Sequence, residues 1–227
     1  MIWLNFSISC NTFYKNVPTV SDLFVYFNDT VSVKEIVMKN IHYFNTNEPH
    51  SIYDFCRSLS LLMKKANADE KLILLCIGSD RATGDALGPI IGYKLSKYHY
   101  DNLIIYGTLA NPVHAKNLSS TLESIREKYP NSTVIAIDAS LGSTSHVGYI
   151  TLGEGALRPG VGVDKELPLA GDIFITGIVN ISGILNHALL QTTRLYLVMQ
   201  LADYICLGIR YSLQNSITFS HSTVVNQ

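Results

Sequence analysis

The sequence predicts an α/β protein, a three-layer α/β/α sandwich around a mostly parallel central sheet. Three observations predict it. Short, continuous apolar runs such as "LILLCIG" (72–78) and "STVIAIDA" (132–139) have the pattern of strands buried on both faces. Amphipathic stretches separate them, so strand, loop and helix alternate from Lys71 onward. Nearly half of the 227 residues are hydrophobic, 47%, which supports a sizeable core in one ordinary domain with an extension.

The elements follow in order. "TVSVKEIVMKNIHYF" (30–44) places Val33, Ile36, Val37, Ile41 and Phe44 at helical spacing, and "NTNEP" (45–49) is a loop. "SIYDFCRSLSLLMKKANADE" (51–70) is an amphipathic helix with Ile52, Phe55, Leu59, Leu62 and Met63 on one side. The first buried strand is 72–78, followed by the helix "DALGPIIGYKLSKYH". "LIIYGTL" (103–109) is a strand, 115–130 a helix, and 132–139 the next buried strand. "VGYITLG" (147–153) reads as an edge strand or hairpin arm, and "DIFITGIV" (172–179) as a strand. Two helices, "SGILNHALLQTTR" and 194–211, close the fold. This divides the chain into an extension, 1–70, packing on the core; an α/β/α core, 71–211; and a polar tail, 212–227.

Composition excludes several classes. The net charge of −1 argues against a nucleic-acid binder working by bulk phosphate attraction, and Lys64, Lys65, Lys94 and Lys97 read as solvated helix faces. Cys10, Cys56, Cys76 and Cys206 form no CxxC pair, which disfavours a zinc ribbon or a redox pair and fits a reducing cytoplasm. "MIWLNFSISCNTFYKN" lacks a basic n-region and is a poor signal peptide. "LYLVMQLADYICLGI" (195–209) is short for a bilayer and carries Asp203, so no membrane partner is expected. That helix is a core helix first and a homo-oligomer face second.

In sheets of this kind ligands bind beyond the carboxyl ends of the strands, which brings together loops 78–85, 110–114 and 138–146. Loop "GSDRATGDALG" has no GK[ST] ending, and its glycines at 78, 84 and 88 do not fit GxGxxG. Asp85 sits where a helix N-cap would, so it is a cap or, with its pKa lowered by the helix N-terminus, a base or ligand. Asp138 closes an apolar strand, where a charge needs a partner. It either accepts loop N–H groups or faces Asp85; in the second case one carboxyl titrates high and the other low, an arrangement suited to polarising water or holding a metal. Asp80 is expected to pair with Arg81 or Arg158, with a supporting role in the site as the alternative. His114 and His146 lie on loops at the same edge. Thr83, Gly84, Asn111 and Gly142 complete the substrate-facing set, and glycine-rich segments 140–148 and 155–163 shape the cleft. A divalent metal is the one cofactor left open, with Asp85, Asp138 and His146 as its donor set. Ser140 and Ser143 lack a GxSxG setting, and His146 is their one available base.

Taken together, "IGSDRATGDALGP", "YGTLANPVHAKNL", "IDASLG", "HVGYITLGEGALRPGVGVDKELPLAGDIFITGIVNISG" and "LQTTRLYLVMQLADYI" closely resemble the YyaC family of sporulation proteins from spore-forming bacteria, over roughly residues 72 to 206. That family is similar to the germination protease, which degrades small acid-soluble spore proteins, and more distantly to hydrogenase-maturation endopeptidases. The resemblance implies a phosphorylase/hydrolase-like α/β/α fold and a place in the forespore or spore core. It also implies a peptidase acting on a protein or peptide substrate, small acid-soluble spore proteins among them. By the same resemblance Asp85 and Asp138 match the two aspartates thought essential in the germination protease. The chain is much shorter than that protease. Two functions follow: a peptidase working through Asp85 and Asp138, or a catalytically silent protein that binds a peptide or partner on a protease fold.

Overall fold

The computed structural model describes residues 39–66, 71–160 and 167–222. Within these, six strands form one sheet: β1 (Lys39–Asn45), β2 (Leu72–Cys76), β3 (Leu103–Tyr106), β4 (Thr133–Gly142), β5 (Tyr149–Glu154) and β6 (Ile173–Ile181). The helices are α1 (Ser51–Lys65), α2 (Leu87–Leu95), α3 (Leu118–Lys128), α4 (Asn186–Gln191) and α5 (Leu195–Ser222). The strand order is β1-β5-β6-β4-β2-β3. Strands β3, β2, β4 and β6 are parallel, and β5 is antiparallel to both of its neighbours, β6 and β1.

Alternation along the strands builds the layers. Leu72, Leu74 and Cys76 of β2, with Ile135 and Ile137 of β4, face a core closed by α1, α2 and α5. Ile73, Leu75, Ile77 and Ala136 face the other way, against Leu118, Leu122 and Ile125 of α3. All five residues of β2 are buried, as a strand covered on both faces requires. This is the three-layer α/β architecture expected from the sequence.

On the first face, Phe55 of α1 meets Phe44 of β1 edge-on with ring centroids 5.3 Å apart, and lies 5.6 Å from the ring of Tyr204 in α5. Ser51 and Tyr204 share a 2.6 Å hydrogen bond. α5 buries Val198, Leu201, Ala202, Ile205 and Ile209, so it is a core helix. The buried thiols of Cys76 and Cys206 are both pushed up by desolvation, Cys206 to about 12, and act as small hydrophobes.

Several boundaries differ from expectation. Residues 39–45 are a strand: Ile41 and Phe44 fit a helical period, but pairing with β5 and β-favouring side chains decide, while 30–38 lie outside the described residues. β5 is not an edge strand: it lies inside the sheet between β1 and β6, and it is the hairpin arm of the two alternatives, paired antiparallel with β6, the next strand in the chain. β4 does not stop at Ala139 but runs to Gly142, with a register shift between Ser140 and Leu141 where it pairs with β6. The helix expected over 182–194 is confined to Asn186–Gln191. The last helix passes the expected tail boundary, where Ser212 and Leu213 are still buried, and reaches Ser222.

Candidate active site

The site is built at the carboxyl end of β2 and along β4. After Cys76 the chain turns at Gly78, which has a φ of +136°. A Cβ at Gly78 would be driven into the carbonyl oxygen of Asp85, the same oxygen that accepts the Ser79 N–H at 3.1 Å. Gly78 itself donates its N–H to the carbonyl of Val113 at 2.8 Å, tying the loop after β3 to the loop after β2. Residues Gly84–Ala86 then form a 3-10 turn that leads into α2. Gly88 lets the start of α2 lie directly on the Ile77 backbone, where no side chain would fit.

Asp85 is not a cap. The N-cap of α2 is Ala86, no side chain caps that helix, and Asp85 sits half-buried within the 3-10 turn. Its pKa is raised, not lowered: burial dominates, against a hydrogen bond from the Ser79 backbone and the pull of His114 and His187. Asp138 is buried, 6% exposed, and projects to the same face of the sheet as Ala136. Desolvation first and the nearby charge of Asp85 second push its pKa to about 8. Hydrogen bonds from the Ala139 and Gly160 backbones pull it the other way, the first at 2.8 Å. The two aspartates are thus close enough to feel each other, and burial holds both carboxyls toward their protonated forms.

A row of hydroxyls continues from Asp138 across the sheet. Thr176 of β6 is in register with Asp138, and its Oγ1 shares a 2.6 Å hydrogen bond with Thr151 Oγ1 of β5. Ser140 Oγ donates to Thr176 Oγ1 at 3.1 Å, so this serine belongs to a ladder of hydroxyls across the sheet. Replacing Thr176 by Val strands the buried Thr151 hydroxyl and is expected to cost about 1–2 kcal/mol of stability in urea denaturation.

The other sequence-nominated residues divide. His114 lies near Asp85 and lines a groove of about 510 Å³ together with Tyr106, Thr108, Asn111, Asn117 and Thr121. Asn111 is held in its turn by Thr108, which donates its N–H to the Asn111 carbonyl, while Asn111 N–H donates to Thr108 Oγ1. Thr83 precedes the 3-10 turn, and Gly84 is packed against α4: an added Cβ would stand 2.9 Å from Thr193 Oγ1 and 3.0 Å from Leu190. Gly142 ends β4 against Ile178, and its carbonyl accepts the Ser182 N–H at 2.7 Å. Asp80 is exposed in a turn, and among the described residues it makes no ion pair with Arg81 or Arg158.

His146 does not join the aspartates. Its ring packs against Tyr43 of β1 and Tyr149 of β5, at 5.3 and 5.1 Å, and shares a hydrogen bond with Ser143 Oγ. Among the described residues no three His, Cys, Asp or Glu side chains converge as a metal-binding group, so the set Asp85, Asp138 and His146 is not assembled. His187, at the start of α4, is the residue the sequence reading missed; it acts on Asp85 electrostatically because α4 packs on the 3-10 turn. No helix among the described residues is long and apolar enough to cross a membrane.

Comparison with known proteins adds three findings. The family described as "Protein of unknown function (DUF1256)" matches residues 43–208. The protein YyaC of Bacillus subtilis (strain 168) is 45% identical over 151 residues, which is 66% of this chain and 73% of that protein. The crystal structure of the NiFe hydrogenase maturation protease HycI from Thermococcus kodakarensis KOD1 aligns with a TM-score of 0.44 at 15% identity, covering 66% of this chain and 99% of that one.

Proposed function

The chain belongs to the DUF1256 family, and on the site its fold carries we propose that it is a peptidase that hydrolyses peptide bonds with Asp85 and Asp138. The observation that supports this reading is the pair itself: two carboxyls from different elements, one half-buried and one buried, with the second raised to about 8. Two interacting carboxyls sharing one proton divide the labour of hydrolysis. Ionised Asp85 takes a proton from a water, and the resulting hydroxide attacks the peptide carbonyl. Asp138 gives its proton to the carbonyl oxygen. The tetrahedral intermediate then collapses as a proton passes to the leaving nitrogen, the C–N bond breaks, and a carboxylic acid and an amine are released. The substrates in this reading are small acid-soluble spore proteins in the cytoplasm of a sporulating cell, the forespore or the spore core.

The test is digestion of a peptide library, and of small acid-soluble spore proteins, across a range of pH. The rate is expected to fall on the alkaline side as pH passes about 8, where Asp138 loses its proton. It falls again on the acid side, where Asp85 gains one. A rate that climbs steadily through that alkaline limit defeats the assignment of Asp138 as the acid.

One observation favours a second reading, a silent binding protein: Asp138 is only 6% exposed and receives two backbone hydrogen bonds. In that case wild type and the doubly substituted Asp85→Asn, Asp138→Asn protein bind peptide alike, and neither turns it over.

A further inference from the structure

We propose that the groove at the end of β3 is the substrate channel of this site, taking an extended peptide with uncharged side chains, and that His114 is the positioning residue that hands the peptide main chain to Asp85. The proposal rests on the peptidase reading and goes beyond it to where the chain lies and what it recognises.

Strand β3 ends the sheet and, among the described residues, pairs on one side only, with β2. Its residues are half-buried, and Ile105 and Tyr106 line the groove. A sheet edge with free main-chain groups is a template for an added extended segment. The groove volume of about 510 Å³ lies within the range that holds a compact ligand or a few residues of peptide.

The groove wall is polar and carries neither Lys, Arg, Asp nor Glu; Tyr106, Thr108, Asn111, Asn117 and Thr121 supply neutral hydrogen-bonding groups beside His114. Nothing in that lining compensates a charge brought out of water, so charged side chains are disfavoured there.

His114 is held from several directions. Its N–H donates to Asn117 Oδ1 at 2.8 Å, and its carbonyl accepts the N–H groups of Asn117 and Leu118, each at 3.0 Å. Asn117 Nδ2 donates to the Pro112 carbonyl at 3.0 Å, bracing the same loop. The Lys116 N–H donates to His114 Nδ1 at 3.3 Å. With Nδ1 accepting, Nε2 carries a ring proton and is the donor the histidine offers. The same side chain both lines the groove and lies within electrostatic reach of Asp85, so a peptide main chain bonded to Nε2 is led to the carboxyl pair.

The experiment uses full-length, isotope-labelled Asp138→Asn protein, so that binding is read without turnover. Three capped random decapeptide libraries are the probes: one without charged residues, one enriched in Lys and one enriched in Glu. The uncharged library is expected to shift the amide resonances of Ile105 to Thr108 and Asn111 to Asn117, and the charged libraries to shift them weakly. Adding His114→Ala is expected to weaken binding about tenfold, the worth of one ordinary hydrogen bond, whereas His114→Gln keeps a donor and retains most of the affinity. Shifts at these amides support the channel whether or not wild-type protein cleaves the library. The channel is overturned if those amides stay still, if all three libraries bind alike, or if His114→Ala binds as tightly as its parent. Cleavage by wild type with the groove unmoved overturns the channel and leaves the peptidase reading standing.

Discussion

Asp138→Asn is expected to end cleavage while making the fold more stable at alkaline pH. The folded protein holds the Asp138 proton up to about pH 8, whereas an unfolded chain releases it near the ordinary carboxylate value of about 3.9. Between those limits the native state binds the extra proton, so its stability falls as pH rises, at a ceiling of about 1.4 kcal/mol per pH unit. Below the window the carboxyl is neutral in both states and costs nothing electrostatically. Above it the native state carries a buried charge. Asparagine is neutral throughout and keeps an oxygen for the Ala139 N–H. Urea denaturation should therefore show wild type losing stability from about pH 4 to about pH 8 and the variant nearly flat, with the variant ahead at the upper end by a few kcal/mol. A variant that is less stable at both pH values contradicts the buried, protonated state described here. For activity, loss of the acid should lower the rate by about two to four orders of magnitude, and Asp85→Asn should do the same through loss of the base. Asp85 is half-buried, so its substitution should move stability less than that of Asp138.

Gly78→Ala is expected to be strongly damaging for a change of a single hydrogen to a methyl group. The residue holds a φ of +136°, and its new Cβ would collide with the Asp85 carbonyl. Backbone strain of about 1–3 kcal/mol adds to overpacking of similar size, a loss of about 3 kcal/mol or more. Gly183→Ala is the control: its Cβ would meet Leu189 Cδ1 at an ordinary 3.5 Å, and its stability should stay within about 1 kcal/mol of wild type. Thermal melting of the two variants separates a steric requirement from a general sensitivity to glycine replacement. Because the collision is with Asp85 itself, whatever Gly78→Ala protein folds should also have lost cleavage.

The features that sequence exposed were those in which one physical requirement dominates. β2, β4 and β6 were legible because a strand buried on both faces must be apolar without a break, and Asp138 stood out as the charge that interrupts such a run. The remaining features depended on partners far along the chain. In 39–45 the positions of Ile41 and Phe44 satisfy a helical period, and pairing with β5 more than a hundred residues later overrides it. Asp85 looked like a cap because its spacing from Pro89 suits one, yet the intervening 3-10 turn moves the helix start past it. His187 gave no local signal: it lies in an ordinary amphipathic stretch, and only the packing of α4 on that turn brings it near Asp85. His146 looked equivalent to His114 in sequence, but the extension of β4 to Gly142 carries it to the tyrosines of β1 and β5.

The Ser51–Tyr204 hydrogen bond joins residues separated by 153 positions, and Phe55 beside it is covered by the same distant helix. A chain emerging from the ribosome therefore carries an oily, unroofed flank until Leu195–Ser222 has been made. Such long-range closure is slow, so this chain should lean on chaperones during synthesis, and truncations within its last helix should be recovered as aggregates and not as a smaller folded domain.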